Sequence, residues 1–468
     1  MKKSTKSTKT VKLKSSFSGL SVINPNSAGI DVGSKEHWVA VSPHLTEENV
    51  RSFSAMSYGL HEISAWLKEC GVETVAMEST GVYWIPLHDI LEEDGFEVFL
   101  CNASYVKNLP GRKKTDAIDC AWIQKLHSFG LLSPSFIPSL EIRELKDLLR
   151  YRETLTKENT THVNRMQKCL IEMNVLLNKV VSNIMGKTGK SVIKAIIAGQ
   201  TDPSYLIKFK DRQVQASDEQ FLRALEGNYQ KSKLIKLSTE MELYEQICHK
   251  IDEMDRHIEM KLMSFLNDCD DIPINNKLSP RELLILITGV DLTEVPGFDV
   301  LSVWKLISET GLDMSKWPDA KHFTSWLRLA PNNQISGGKL LKSNTVSHKP
   351  KATQTFRICA TTLKKSKTYL GYFYRKKKAQ KSASKAIIAT ARKLAEIYYK
   401  MLKFKAPFNE LGENFYEQNY RERAVRNLKR TAHRLGFELT ENSNVINDVV
   451  NGNNYSKADT SLVCKTRK

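Results

Sequence analysis

Four acidic residues stand where apolar segments of this sequence end or where a helix is predicted to begin. Asp31 follows the apolar pair of GIDVG, Glu78 ends the run TVAM, and Asp116 and Asp119 lie in KKTDAIDCAW. Asp116 and Asp119 are three residues apart and therefore face the same side of one helix. Taken singly, each acid has an ordinary explanation as a turn residue, a surface acid or a helix cap.

Taken together, the four acids predict a metal site. Clustered carboxylates repel one another, and a buried carboxylate is costly unless a partner compensates it. Oxygen ligands of this kind suit Mg²⁺, which keeps water molecules that a phosphate can displace. Two such ions can activate an attacking oxygen and stabilise a leaving oxygen in phosphodiester chemistry. We therefore expect a metal ion to be the partner of Asp31.

An α/β layer has to position these acids. Between residue 28 and about residue 130, short apolar strands alternate with amphipathic helices, which predicts a central sheet covered by helices. Asp31 and Glu78 would lie on strands of one sheet. A helix that begins near Thr115 or Asp116 could bring its acids alongside them.

Two long helices are predicted in the middle of the chain, at residues 141 to about 180 and about 234 to 266. Apolar residues of the second helix follow one seam, which Asp255 interrupts, and such seams favour coiled-coil packing. The two helices could form an antiparallel hairpin or pair between two chains. Residues 190–233 show no clear period and are predicted to be an irregular insertion, whereas residues 280–400 are predicted to be compact and mostly helical.

Ser336 is the second candidate for chemistry. It precedes Gly337 and Gly338 in QISGGK, where glycines let the backbone approach a ligand closely. A serine on such a turn can act as a nucleophile if a base or a metal activates it, but no histidine is nearby in the sequence. A Ser-Gly-Gly stretch is usually only a turn. Upstream, VPGFD leads into a helix whose amino end could hold a phosphate or could simply pack.

The charge of the chain predicts a polyanionic partner. The 468 residues carry a formal net charge of +18, which is typical of proteins that bind nucleic acid. The basic cluster after residue 363 is interleaved with Tyr369, Tyr372, Phe373 and Tyr374, at least some of which we expect in the core. Taken alone, the basic loop at 112–114 is better explained as solvated. The candidate nucleic-acid contacts are Arg112, Lys113, Lys114, Lys339, Lys364, Lys365, Lys367, Arg375, Lys376, Lys377 and Lys378.

The composition argues against several other classes of protein. Apolar residues make up 41% and charged residues 26%, as in globular rather than disordered proteins, and the length suits two or three domains. No apolar run approaches the roughly 20 residues of a membrane span, and no hydrophobic stretch follows the amino-terminal lysines, as a secretory signal would require. Eight scattered cysteines without a CxxC pair argue against zinc-ribbon and redox sites.

In their order and spacing, these motifs resemble the insertion-sequence transposases that have a RuvC-like DEDD amino-terminal domain and a serine-bearing carboxy-terminal transposase domain. These are the bridge-RNA-guided DNA recombinases. The resemblance covers roughly residues 28–180 and 280–405. The matching stretches are GIDVGSKEHWVAV, AMESTGVYWIPLHDILEEDGFEVFLCNA, GRKKTDAIDCAWIQKLHSFGLL, VPGFD and WLRLAPNNQISGGK.

The resemblance implies an α/β plus mainly α protein, with an RNase H-like (RuvC-like) first domain, a coiled-coil middle and a mostly helical carboxy-terminal transposase domain. The predicted segments are a basic flexible arm at 1–27, the RuvC-like domain at 28–135, the coiled-coil region with its insertion at 141–270, the transposase domain at 280–405, and a helical extension with a polar tail at 406–468.

The resemblance also implies the chemistry and the partners. Asp31, Glu78, Asp116 and Asp119 would bind Mg²⁺, and Ser336 would attack a DNA phosphodiester to form a covalent phosphoserine link. That link preserves the bond energy, so strand exchange and religation would need no ATP. The partners would be donor DNA, target DNA and a structured bridge RNA. The protein would be a homo-oligomer, a dimer that assembles to a tetramer, in the cytoplasm of a bacterium or archaeon at the nucleoid, with no membrane association.

Three other interpretations stay open. A RuvC-like hydrolytic nuclease would use the four acids with water as the nucleophile and leave Ser336 without a role. An ATPase of the actin and sugar-kinase type would explain GIDVGS but would leave Asp116 and Asp119 unexplained, and its second phosphate loop is missing from the sequence. A non-catalytic nucleic-acid-binding protein would bind regardless of Mg²⁺.

Overall fold

The computed structural model describes residues 19–79, 81–101, 115–266, 278–344, 350–409, 412–439 and 464–466. The chain divides into two compact units, Met1–Ile137 and Pro138–Lys468. Among the described residues, no helix combines the length and the apolar character that crossing a bilayer requires.

A five-stranded mixed sheet forms the centre of the first unit, with the strand order β3-β2-β1-β4-β5. Antiparallel ladders join β1 to β2 and β2 to β3, whereas β4 runs parallel to β1 and β5 runs parallel to β4. This order and mixture of directions are consistent with the RNase H-like fold expected from the sequence. The strands are β1 (Ser27–Val32), β2 (Glu36–Val41), β3 (Val50–Ser54), β4 (Thr74–Glu78) and β5 (Glu97–Cys101).

Helices cover both faces of this sheet, which confirms the predicted α/β layer. Ala28, Ile30 and Val32 of β1 join the core that α1 (Ser57–Glu69) and α2 (Trp84–Glu93) build on one face. The alternate residues of β1 face α3 (Asp116–Ser128) on the other side. The polar face of β1 is therefore the face that meets α3.

Residues 23 and 24, at the carboxyl end of the predicted amino-terminal arm, are hydrogen-bonded to this unit. The backbone N–H groups of Ile23 and Asn24 both donate to the carbonyl of Ser128, and the Asn24 side chain donates to the carbonyl of His127. These bonds tie residues 23 and 24, which the sequence assigns to the flexible arm at 1–27, to the carboxyl end of α3.

Two long helices of the second unit pack together in antiparallel directions. The long helices are α4 (Leu140–Glu172) and α9 (Lys231–Ser264). Four shorter helices follow α4 in the chain and precede α9: α5 (Leu177–Val180), α6 (Lys187–Ile197), α7 (Pro203–Leu206) and α8 (Asp218–Ala224). Glu144 pairs with Lys261 near one end, and Glu172 pairs with Lys233 near the other. The contacts within one chain therefore follow the hairpin alternative.

Asp255, which interrupts the apolar seam of α9, has a partner on α4. It accepts hydrogen bonds from the guanidinium of Arg152, one of them at 2.9 Å from Nη2. Further along, His162 Nδ1 lies 2.6 Å from Glu240 Oε2. The polar residues in the seam are thus matched across the two helices.

The region at 190–233 is helical, so the prediction of an irregular insertion was wrong. Helices α6, α7 and α8 bury Ile196, Leu206 and Phe221 in one cluster with Leu170 of α4 and Leu237 of α9. Helices of four to eleven residues complete too few turns for an apolar period to stand out in the sequence.

The rest of the second unit is mostly helical, as predicted. Phe323, Phe356 and Tyr398 form an aromatic cluster at its centre. The short pair β8–β9 joins the end of the helical extension to a segment of the predicted polar tail. The elements are α10 (Pro280–Thr288), α11 (Val300–Thr310), α12 (Ala320–Trp326), β6 (Asn332–Ser336), β7 (Lys339–Asn344), α13 (Lys351–Thr362), α14 (Tyr369–Gln380), α15 (Ala383–Phe404), α16 (Gly412–Arg434), β8 (Phe437–Leu439) and β9 (Cys464–Thr466).

Candidate active site

Asp31 and Glu78 lie at the carboxyl ends of two adjacent parallel strands. The β1–β4 ladder pairs Ile30 with Met77, and the same offset sets Asp31 level with Glu78. Neighbouring strands are about 4.8 Å apart, and alternate side chains share a face. Both acids are on the face that α3 covers, where Asp31 is half-buried and Glu78 is buried. They are therefore neighbours at one edge of the sheet.

Helix α3 runs antiparallel to β1 and β4, so its amino end lies at the same edge. Gln124 Nε2 donates to Ser42 Oγ at 2.8 Å and to Ser27 Oγ at 3.2 Å. One turn later, His127 Nε2 lies 2.9 Å from Thr74 Oγ1. Because Ser27 and Thr74 begin their strands, the far end of α3 is held where the strands start. Its first turn, with Asp116 and Asp119, is therefore directed to where the strands end.

Gly29 allows α3 to lie directly on β1. A Cβ atom at this position would lie 2.1 Å from the backbone nitrogen of Gln124 and 2.6 Å from the carbonyl oxygen of Cys120. Glycine is needed here because the two backbones approach so closely. This contact sets the height of α3 above the sheet and thereby the position of the acids in its first turn.

The first turn of α3 begins where the sequence predicts. Thr115 is the N-cap, and its hydroxyl accepts a hydrogen bond from the backbone nitrogen of Ile118. Asp116 is exposed and Asp119 is buried. Both carboxylates also gain from the positive end of the helix dipole, which is the ordinary role of acids in a first turn.

The buried thiol of Cys120 lies within the electrostatic influence of two of the acids. Burial raises the pKa of Cys120, and the negative charges of Asp31 and, less strongly, Asp119 raise it further. Because such charge effects fall off with distance, both carboxylates must be near this thiol. Cys120 stays protonated at neutral pH and is not a nucleophile.

The four acids at this edge are not a compact cluster of ligand atoms. Among the described residues, only His88, Asp89 and Glu92 are a trio of potential ligands whose donor atoms lie within 4.8 Å of one another. No three of the four acids form such a trio. Their donor chemistry, carboxylates on two rigid strands and one helix turn, nevertheless fits a hard divalent cation, which would offset their mutual repulsion.

The trio on α2 is separate from this edge. His88 Nδ1 lies 3.5 Å from Asp89 Oδ1 and 3.6 Å from Glu92 Oε2, so both contacts are local to one helix. Helix α2 packs on the face of the sheet opposite to α3. The sequence pattern HDILE, with ligand types at i, i+1 and i+4, was the signal for this trio, which we did not predict.

The anchors of α3 were likewise not predicted. Gln124 and His127 are polar residues next to the apolar stripe of Ile123 and Leu126, and both are buried. Buried polar side chains at such positions need hydrogen-bond partners, and these two have partners on β1, on β4 and at Ser42, directly after β2.

Ser336 ends β6 at the tip of a hairpin with a two-residue turn. Gly337 and Gly338 have positive φ angles of 54° and 74°, which a tight turn of this kind requires. Ser336 is exposed, and its cross-strand partner is Lys339, which is exposed as well. The two glycines thus serve the turn, and the turn presents the serine and a lysine side by side.

The helix that follows VPGFD caps its own amino end. Asp299 Oδ1 accepts a hydrogen bond of 2.6 Å from the backbone nitrogen of Ser302 in the first turn of α11. This carboxylate takes the position at which a phosphate would meet the first amides. The structure therefore favours the packing explanation for this segment.

The candidate nucleic-acid contacts differ in exposure. Arg112, Lys113 and Lys114 lie outside the described residues. Arg375 donates to the carbonyl of Ser366 and is half-buried, as are Lys376 and Lys377. The exposed candidates are Lys339, Lys364, Lys365, Lys367 and Lys378.

The aromatic residues that lie among these cations in the sequence also differ in exposure. Phe373 and Tyr374 are buried, which confirms that some of them belong to the core. Tyr369 and Tyr372 are only half-buried, and Lys376 Nζ lies 5.6 Å from the centre of the Tyr372 ring. Buried rings cannot stack on bases, so only these two tyrosines keep that predicted role.

Two family models match separate parts of the chain. Residues 28–175 match the DEDD model of IS110, which is described as a transposase, and residues 291–375 match the transposase model of the IS116/IS110/IS902 family. No curated protein matches the chain. The four acids lie in the first matched segment, and Ser336 and Lys339 lie in the second.

Proposed function

The chain belongs to the insertion-sequence transposases of the IS116/IS110/IS902 family, and we propose that it cuts and rejoins DNA strands through a covalent link to Ser336. Transposition makes DNA its substrate. In this proposal, Mg²⁺ bound by four carboxylates assists the reaction, and an element-encoded bridge RNA guides it. The observation that carries the proposal is the shared sheet edge of Asp31, Glu78 and the first turn of α3.

The covalent step exchanges one phosphoester bond for another. Ser336 Oγ forms a bond to a DNA phosphorus while the bond from that phosphorus to a deoxyribose oxygen breaks. The serine loses its proton, and the released oxygen gains one. Attack by a deoxyribose hydroxyl of another strand then forms the new DNA link and frees the serine. Because the number of phosphoester bonds is unchanged, the exchange needs no ATP.

The acids would hold the metal in this reaction. Asp31, Glu78, Asp116 and Asp119 are the proposed ligands, and bound Mg²⁺ supplies charge that activates an attacking oxygen and stabilises a leaving one. The chain contributes rigidity, because two ligands are on paired strands and the other two are on a helix that Gly29 seats on the sheet. Lys339, opposite Ser336, would bind a phosphate oxygen.

Covalent attachment to DNA is the direct test of this proposal. Purified protein would be incubated with element-end RNA, supercoiled donor and target DNA, and Mg²⁺, and then separated on a denaturing gel. We expect a protein–DNA adduct that falls at least about 10³-fold in Ser336→Ala and is lost in Asp31→Asn. The matched controls are Ser325→Ala, an exposed serine of α12, and Glu93→Gln, an exposed acid of α2, and both should form the adduct.

A hydrolytic nuclease is the second candidate, and one observation favours it. The shared sheet edge of Asp31, Glu78 and the first turn of α3 would serve such an enzyme with water as the nucleophile and no role for Ser336. A nuclease would release free DNA ends that persist in Ser336→Ala and vanish in Asp31→Asn. That result would refute the covalent proposal and keep the metal site.

A further inference from the structure

One long stretch of the second unit contains no carboxylate. Asp319 and Glu396 bound it, and residues 320–395 hold 18 of the 70 lysine and arginine residues of the chain. The positive charge of this stretch has no acid of its own to neutralise it. Such an unbalanced cluster is the electrostatic footprint of a polyanion.

A groove of about 420 Å³ opens between α13 and α15 within this stretch. Lys351, Gln354 and Arg357 form its polar wall on α13, and Ile358 and Ile387 form its apolar part. Ile358 is 56% exposed although it is a large apolar residue. The groove thus combines cations with an apolar surface, as a sugar–phosphate strand would require.

Arg357 has an unsatisfied donor beside this groove. Its Nε atom is buried and has no hydrogen-bond partner among the described residues. A buried donor without a partner carries a desolvation cost that an incoming acceptor would remove. A phosphate oxygen is such an acceptor, and the planar guanidinium fork matches phosphate geometry.

The amino end of α13 adds two further anion-binding features. Pro350 is the N-cap, its carbonyl accepts from the Thr353 amide, no described side chain caps the first amides, and the first turn contains no acid. The first residue of the helix is Lys351, which is exposed. A cation at the positive end of a helix dipole is unfavourable for the helix itself. The amides of Lys351 and Ala352 and the lysine side chain at this helix end are, however, suited to bind a phosphate.

We propose that this groove binds a phosphate of the DNA strand on which the protein acts. Lys351, Arg357 and the first amides of α13 would contact the phosphate oxygens, and Ile358 would pack against the deoxyribose. The identity of the anion rests on the proposed function. DNA is favoured over the guide RNA because the groove belongs to the same compact unit as the serine hairpin.

Binding without cleavage tests this groove. Full-length protein in EDTA would be titrated with an element-end DNA duplex of about 40 base pairs, and separately with RNA of equal length, at several salt concentrations. Lys351→Gln and Arg357→Gln each remove one groove cation. Lys400→Gln removes one exposed cation of α15, about 20 Å along the helix from Ile387, and is the matched control.

We expect Lys351→Gln to weaken DNA binding about threefold to tenfold near physiological salt and to lower the slope of log K against log salt by about one. Arg357→Gln should do the same. Lys400→Gln should match the wild type. Equal effects of Lys351→Gln and Lys400→Gln, or a loss of RNA binding alone, would overturn the proposal.

Two further comparisons keep the test decisive. If Arg357→Gln unfolds, Lys351→Gln decides alone, because Lys351 is exposed at a helix end. The adduct experiment separates the two proposals. If the groove variants change the salt slope of DNA binding but the wild type forms no adduct, the groove is supported and the serine chemistry is refuted. If the groove variants leave the slope unchanged and the wild type forms the adduct, the groove is refuted and the serine chemistry is supported.

Discussion

His127 is a buried imidazole that holds the carboxyl end of α3 to the sheet. Burial lowers its pKa from 6.5 to about 4, so the ring is neutral at physiological pH. Its Nε2 lies 2.9 Å from Thr74 Oγ1, and its ring packs 4.7 Å from that of Phe99. His127 is remote from the sheet edge at which the four acids lie, so it acts as a structural anchor rather than as a proton donor in the reaction.

This anchor makes stability depend on pH. The unfolded imidazole binds a proton below pH 6.5, whereas the folded one stays neutral down to about pH 4. The free energy of unfolding should therefore fall as the pH is lowered through that window, by about 2 kcal/mol at pH 5. Urea unfolding at pH 7.5 and pH 5 would measure this loss, and His127→Gln should lack that part of it.

The comparison between the wild type and His127→Gln isolates the contribution of His127 to the pH dependence of stability. Burial also lowers the pKa of His37, but that group is present in both proteins, so its contribution cancels. An equal loss of stability in wild type and His127→Gln between the two pH values would show that His127 is not the titrating anchor.

At the scale of elements, the contact between α3 and β1 decides where the acids lie. Strand ends and the helix start could be predicted from apolar runs and from the cap, and so could the shared edge of Asp31 and Glu78. The direction and height of α3 could not, because they depend on contacts such as Gln124 with Ser27, 97 residues apart. The burial of Asp119 beside an exposed Asp116 follows from that height.

Gly29→Ala should displace α3. The new Cβ would meet backbone atoms of α3 that cannot rotate away, which should cost about 1–3 kcal/mol of stability. We also expect the adduct yield to fall by up to about 10²-fold at a temperature where the variant is folded, because the acids of α3 move relative to those of the strands.

Gly95→Ala is the matched control for this substitution. Gly95 has a φ of 88° and open space around it, so alanine strains the turn without touching α3. Both variants should lose stability, but only Gly29→Ala should lose activity. A proportional loss of activity in Gly95→Ala would mean that stability alone explains the effect.

At the scale of the whole molecule, the candidate groups are divided between two compact units. All four acids belong to the first unit, and Ser336 and the basic groove belong to the second. Unfolding should therefore show two transitions, and a metal held by the acids should stabilise only one of them. A ligand at ten times its dissociation constant adds about 1.4 kcal/mol to the unit that binds it.

Mg²⁺ should raise the unfolding midpoint of the first unit and leave the second unchanged. Hydrogen exchange measured along the denaturation curve would assign each transition to its unit. Asp31→Asn combined with Glu78→Gln should abolish the shift, whereas Glu93→Gln on the other face should retain it. A shift that survives the double substitution, or one that appears in the second unit, would place the metal elsewhere.

The serine hairpin also limits how this protein can evolve. Its register is set by a two-residue turn and by the extra residue Leu341 opposite the Gln334–Ile335 step. Side chains alternate along a strand, so a single inserted or deleted residue at the tip would send Ser336 to the opposite face. Most surface loops tolerate changes of length more readily than this. Here, substitutions in the strands that flank Gly337 and Gly338 would be tolerated more readily than insertions or deletions, and homologues should vary in the residue types of the hairpin before they vary in its length.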